Sequence, residues 1–227
     1  INAFSYSLPS VNNYWKNSIQ FIKKSVLTRS KWLGEYPFQT VSAVEAKMGF
    51  DGGMEYPTIT SISPSGSERD LEGTIEHEVG HNWNQGILAT NEKAHPWMDE
   101  GMNSYFDNRY WQTESITTEQ KTKPTFSSKR MPQDRSALSL RNIIATKTDQ
   151  PIETPADKFS ETNYYRMSYT KTADWMKLLE TTLGKDVFDK CLQEYYSRWK
   201  FKHPYPEDFK KVIEEVSGKN VDAEFAL

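Results

Sequence analysis

Cysteine is nearly absent from this sequence of 227 residues: Cys191 stands alone. One thiol excludes an internal disulfide and any zinc finger built on several cysteines. Histidine is scarce too, with four in the chain. No apolar run approaches the roughly 20 residues that a bilayer-spanning helix needs, so no membrane span is expected. A cationic excess is also missing. The 28 Lys and Arg against 31 Asp and Glu leave a net charge of −3, and the pI of 5.9 offers no electrostatic footprint for nucleic acid. No initiating Met precedes Ile1, which suggests a processed product or a piece of a longer chain, and leaves the compartment open.

Aromatic residues are plentiful: 7 Trp, 12 Tyr and 11 Phe make up 13% of the chain. That content argues for a packed core despite a mean hydropathy of −0.77. The length fits one large domain or two small ones. Apolar residues at helical spacing (Tyr14, Trp15, Ile19, Ile22, Val26, Leu27) predict a helix from Val11 to Leu33 stopped by Gly34. Residues 38–46 and 54–62 read as strands, the second weakened by Pro57. Ser67 and Asp70 resemble a capping box for a helix running to about Asn84, and Pro96 opens a second helix running to about Trp111. Residues 112–160 read as long loops with a short helix near Leu138–Ala145. Helices follow over about 161–183, 185–200 and 207–217, with Gly184 and Gly218 as stops. Early strands and a helical second half give an α+β expectation, a small mixed sheet followed by helices.

The chemistry concentrates in His77-Glu78-Val79-Gly80-His81. On a helix, residues i and i+4 share a face, so two imidazoles in this HExxH pattern can reach one metal ion, with Glu78 beside them as a candidate general base. The helix phase agrees. Leu71, Ile75, Val79 and Trp83 fall along one apolar side, and the two histidines point away from it. A catalytic zinc takes three protein ligands and keeps one open position. Glu100, in Trp97-Met98-Asp99-Glu100-Gly101-Met102 near the start of the next predicted helix, is a candidate third ligand.

HEVGHNW followed by WMDEG, with eighteen residues between His81 and Glu100, resembles the gluzincin aminopeptidases of the aminopeptidase N and leukotriene hydrolase family. Gly52-Gly53-Met54-Glu55-Tyr56 is similar to that family's G-x-M-E-N exopeptidase motif, and Tyr169-Thr170-Lys171 to its Y-x-K element. The resemblance covers nearly the whole chain. It implies a thermolysin-like catalytic domain over residues 1–227, excised from a larger enzyme whose N-terminal β-domain and C-terminal helical domain are not in this sequence. It implies one catalytic Zn2+ held by His77, His81 and Glu100, with Tyr169 as donor to the oxyanion. Asp99 and Tyr56 stand where most relatives carry Asn, and Thr172 where a Gly follows Y-x-K; none of these removes a ligand or a catalytic group.

The expected reaction is release of N-terminal residues from peptides. Water activated by zinc attacks the carbonyl, Glu78 takes its proton and returns one to the leaving amine, and Tyr169 stabilises the oxyanion. Between Glu45 and Glu100 the chain carries eleven acidic residues against three basic ones. A stretch of that charge attracts a cationic α-amine. Glu55 is the candidate amine anchor, with the backbone of Gly52, Gly53 and Met54 lining the substrate as an edge strand. Asp99 reads equally as an acceptor orienting a zinc-bound His and as a charge at a helix N-terminus. Trp83, Trp97 and Cys191 read as packing residues, and His95 and His203 as outside the ligand set. The competing readings are a zinc endopeptidase, and a zinc-stabilised binding module without catalysis.

Overall fold

The computed structural model describes residues 1–8, 13–117 and 135–226. Strand β1 (Asn2–Tyr6) leads through a 3-10 turn at Asn13–Asn17 into helix α1 (Ser18–Trp32), and α1 leads to β2 (Thr40–Glu45). Then come β3 (Gly53–Met54), β4 (Ile59–Ile62), α2 (Glu68–His81) and, after a π-helical turn at Asn82–Ile87, α3 (Glu100–Thr117). The remainder is helical: α4 (Arg135–Ala145), the single turn α5 (Glu161–Asn163), α6 (Thr172–Leu183), α7 (Lys185–Trp199) and α8 (Pro206–Ser217). The sheet has the order β1-β2-β4-β3, with β1, β2 and β4 parallel and β3 antiparallel to β4. This is an α+β arrangement, a small mixed sheet ahead of a mostly helical half.

Helix α2, which carries the two histidines, forms where local chemistry dictates. The Ser67 hydroxyl accepts the Asp70 N–H and caps α2. Leu71, Ile75, Val79 and Trp83 are all fully buried along one side of it, as the periodicity requires. Gly184 and Gly218 adopt φ of 87° and 68° at the ends of α6 and α8, which favours glycine there.

Several expectations are revised. The strand read over 54–62 is a hairpin. Gly53 and Met54 pair with Ile62 and Ser61, and Pro57, which has no N–H to give a ladder, lies in the turn between the two strands. Strand β1 carries no clear signal, because its small residues Ala3 and Ser5 face the protein while Phe4 and Tyr6 face outward. In α1 the buried side includes Ser18, Ser25 and Arg29, whereas Ile19 and Leu27 are exposed. The first turn of the helix predicted from Pro96 is a separate 3-10 turn, Pro96–Met98. The helix predicted over 161–183 is three pieces, with a π-helical segment at Tyr164–Lys171 between α5 and α6. Of the loops expected over 112–160, residues 112–117 extend α3, the short helix forms as α4, and residues 118–134 lie outside the described residues, as does Val11.

Buried apolar side chains join into one large cluster that includes Trp83, Trp97, Phe106, Met176, Phe188 and Phe209. A small satellite of Leu140, Ile143 and Met167 sits beside it. Helices α2 and α3 are held against this cluster on one side and open to a cleft on the other.

Candidate metal centre

His77 and His81 stand one turn apart at the C-terminal end of α2, and Glu100 opens α3. Their donor atoms form a near-equilateral triangle. His77 Nε2 lies 3.1 Å from His81 Nε2, and Glu100 Oε2 lies 3.3 Å and 3.2 Å from those two nitrogens. For metal–donor bonds of about 2.0 Å, the corners of a tetrahedron are about 3.3 Å apart, so the three atoms match one face of a zinc coordination sphere. Glu100 Oε2 is buried without a hydrogen-bond partner, as expected of an atom whose partner is a cation. The donor set and its spacing therefore fit zinc.

Both histidines are oriented from behind. His81 Nδ1 is 2.6 Å from Asp99 Oδ1, both side chains being 1% exposed. His77 Nδ1 is 2.6 Å from Asp107 Oδ2 on α3. A carboxylate accepting from Nδ1–H fixes the tautomer and leaves Nε2 free to bind metal. Of the two readings of Asp99, the structure brings it to His81, and it does so from the residue immediately before α3. Burial alone would depress the pKa of His77, but the Asp107 carboxylate and Glu100 outweigh it and push it up to about 10. His81 is raised well above its ordinary value by Asp99 and Glu100 against the same burial. Burial would raise the Glu100 carboxyl, yet His81 and His77 hold it well below the carboxylate range. Three negative groups thus surround two imidazoles, a site that favours a dication.

Glu78 points into the same cleft, 5% exposed. Burial pushes its pKa up to about 7, with His77 and His81 opposing. The Gly-Gly-Met-Glu motif meets it there. A Cβ placed on Gly53 would fall 2.4 Å from Glu78 Cδ and Cγ, so a side chain at this position would displace the carboxylate from where it now lies against edge strand β3.

The cleft has a volume of about 330 Å³, and its lining includes Gly53, Met54, Glu55, Glu78, Tyr164 and Tyr169. Gly52 does not line it. With φ of 107° it shapes the turn before β3, and its carbonyl accepts from Ser63 N–H at 2.8 Å. Glu55 offers an oxygen within 4.8 Å of His81 and Asp99 donor atoms, and burial raises its pKa. Tyr169 stacks on the His77 ring, with centroids 5.9 Å apart and planes 16° from parallel. Burial and the Glu100 carboxylate raise its pKa well above that of a free tyrosine. The π-helical turn brings residues five apart to one side, and Tyr164 meets Tyr169 at 6.1 Å. Thr172 closes that turn by donating its hydroxyl to the Met167 carbonyl at 2.8 Å.

The remaining expectations resolve simply. His95 bonds Glu153, and His203 Nδ1 sits 2.9 Å from the Ala89 carbonyl oxygen, so neither joins the ligand set. Trp83, Trp97 and Cys191 are fully buried. Asp107 is the residue that sequence reasoning missed. It follows Glu100 by seven positions, two helical turns along one face of α3, and that spacing is the signal that could have found it.

The Peptidase family M1 domain matches residues 23–226. Aminopeptidase M1-B of Oryza sativa subsp. japonica is 26% identical over 162 residues, which is 70% of this chain and 18% of that protein. The crystal structure of an M1 zinc metallopeptidase from Deinococcus radiodurans superposes with a TM-score of 0.65 and 17% identity, covering 96% of this chain and 45% of the other. Yeast LTA4 hydrolase in complex with bestatin superposes with a TM-score of 0.71 and 19% identity, covering 93% and 34%. These likenesses establish a shared fold. The chain spans 18% and 28% of two of the curated relatives it matches.

Proposed function

The chain belongs to peptidase family M1, and from that membership we propose that it is a zinc aminopeptidase, with residues 1–227 acting as a thermolysin-like catalytic domain. The observation that carries the reading is the triangle of His77, His81 and Glu100 with edges of 3.1–3.3 Å, opening on a cleft that also holds Glu78 and Glu55. A zinc ion bound there supplies Lewis acidity to a carbonyl and lowers the pKa of water to about 7. Every other part of the reaction falls to side chains.

Glu78 takes the proton of the attacking water and hands a proton to the departing amine. Its burial against Gly53 keeps the carboxylate from being solvated away from that task. Tyr169 presents its hydroxyl as a donor to the oxyanion, and such a donor contributes on the order of 100–1,000-fold in rate. Because its phenol titrates well above neutral pH, the proton stays in place to be donated. Glu55 binds the cationic α-amine of a peptide substrate with a free N-terminus, in a cleft whose acidic lining favours a positive group. Edge strand β3 offers the Gly53-Met54 backbone to an extended peptide.

The test compares free-amine peptides with N-acetylated ones on the zinc-loaded chain. Preference for the free amine, reduced by Glu55→Ala through a raised KM, supports the assignment. Strong turnover of blocked peptides that survives Glu55→Ala indicates an endopeptidase and overturns it.

A further inference from the structure

Helix α1 takes no part in the cleft, yet it sends one cation into the protein behind the metal centre. Arg29 is fully buried. Its Nε donates to Glu76 Oε1 at 2.9 Å and its Nη2 to Asp107 Oδ1 at 2.7 Å. The Phe106 ring lies 5.1 Å from its Cζ. Asp107 uses its other oxygen, Oδ2, to hold His77 Nδ1 at 2.6 Å. We propose that Arg29 is a positioning residue of the metal centre, fixing Asp107 so that Asp107 fixes the His77 ring.

The two oxygens of Asp107 have different partners, and this is what gives Arg29 its leverage. A carboxylate tied only to His77 turns about its last torsion, which is broad and roughly two-fold. Tied at both ends, it can present Oδ2 in one direction only. The guanidinium suits the task because its planar fork reaches Glu76 and Asp107 at once, a geometry that a lysine ammonium lacks.

A second observation lies in the metal motif itself. A Cβ on Gly80, between the two histidine ligands, would stand 2.7 Å from Arg29 Nη2, 2.8 Å from Arg29 Cζ and 2.3 Å from Asn103 Oδ1. Glycine at that position leaves the space that the guanidinium occupies. Asn103 in turn donates its Nδ2–H to the His77 carbonyl at 2.7 Å. His77 is thus held at its ring by Asp107, which Arg29 bonds, and at its backbone by Asn103.

The inference rests on the zinc reading of the site, and its test reads zinc affinity rather than turnover. The metal-free chain and the variants Arg29→Met, Arg29→Lys, Asp107→Asn, Glu76→Gln and Arg29→Met/Asp107→Asn are titrated with Zn2+ against a chromophoric chelator at one pH. Thermal melting of each metal-free protein is recorded alongside. Asp107→Asn is expected to weaken zinc binding on the order of 10–100-fold, and Arg29→Met about 10-fold. The double variant should be no weaker than Asp107→Asn, since both changes break one line of support. Glu76→Gln is the control. It removes the other ion pair of Arg29, so it should lower the melting temperature while zinc affinity stays within about threefold of wild type. If Arg29→Met does not fold, Arg29→Lys carries the comparison, with affinity below wild type. Wild-type affinity in a folded Arg29 variant, losses that multiply in the double variant, or an equal loss in Glu76→Gln would each overturn the inference alone. A wild-type chain that takes up no zinc overturns the zinc reading, and the inference with it.

Discussion

Glu78 has two neighbours that decide its work, His77 in sequence and Gly53 in space. Substituting Gln keeps its shape and removes its basicity. Glu78→Gln is expected to retain zinc and lose about 10²–10⁴-fold in kcat, as metal analysis and steady-state kinetics on one preparation would show. Tyr169→Phe should lose on the order of 100–1,000-fold in kcat with little change in KM, because the donor acts on charge that develops late. Gly53→Ala makes a sharper demand. Its methyl would need the space of the Glu78 carboxyl, 2.4 Å away, so it should depress kcat strongly while the metal content stays at wild type. His77, Glu78 and His81 were legible because a helix converts sequence spacing into geometry without help from the rest of the fold. Glu100 became legible through its WMDEG surroundings. Arg29 was not, since nothing local distinguishes a buried arginine from the exposed ones. Its partners are 47 and 78 residues away.

At the scale of elements, α2 was the most readable part of the chain. Its cap, its apolar stripe and the spacing of its two candidate ligands each follow from short-range rules. Ser67→Ala removes the acceptor for the Asp70 N–H and should cost about 1 kcal/mol in a denaturant melt. Leu71→Ala, at the fully buried start of the stripe, should cost about 2–5 kcal/mol in the same experiment. The elements read less well were those decided by tertiary partners. The hairpin of β3 and β4 looks like one strand until the turn is seen to be held by Asn82, whose Oδ1 accepts the Thr58 N–H at 2.8 Å. The π-helical segment at 164–171 looks like ordinary helix, because residue pattern alone does not reveal one extra residue in a turn. Yet that extra residue is what sets Tyr164 and Tyr169 on one side of the cleft.

Across the whole molecule, α2 and α3 bind the large core on one side and the candidate metal on the other. Metal binding and folding are thereby linked. Zinc at about 100 times its Kd should stabilise the chain by about 2.7 kcal/mol, and removing it with a chelator should lower the Tm by the corresponding amount. A variant lacking Glu100 should show a much smaller shift. The small net charge of −3 conceals an uneven distribution, since Glu55, Glu78, Glu92, Asp99 and Glu100 of the acidic stretch all line the cleft, where the proposed reading puts a dication. A crystal structure of the zinc-soaked chain, with data collected at the zinc edge, would show where that dication sits. One anomalous peak is predicted, about 2.0–2.2 Å from His77 Nε2, His81 Nε2 and a Glu100 carboxylate oxygen. A peak elsewhere, or none there at saturating zinc, would rule out His77, His81 and Glu100 as the zinc ligands.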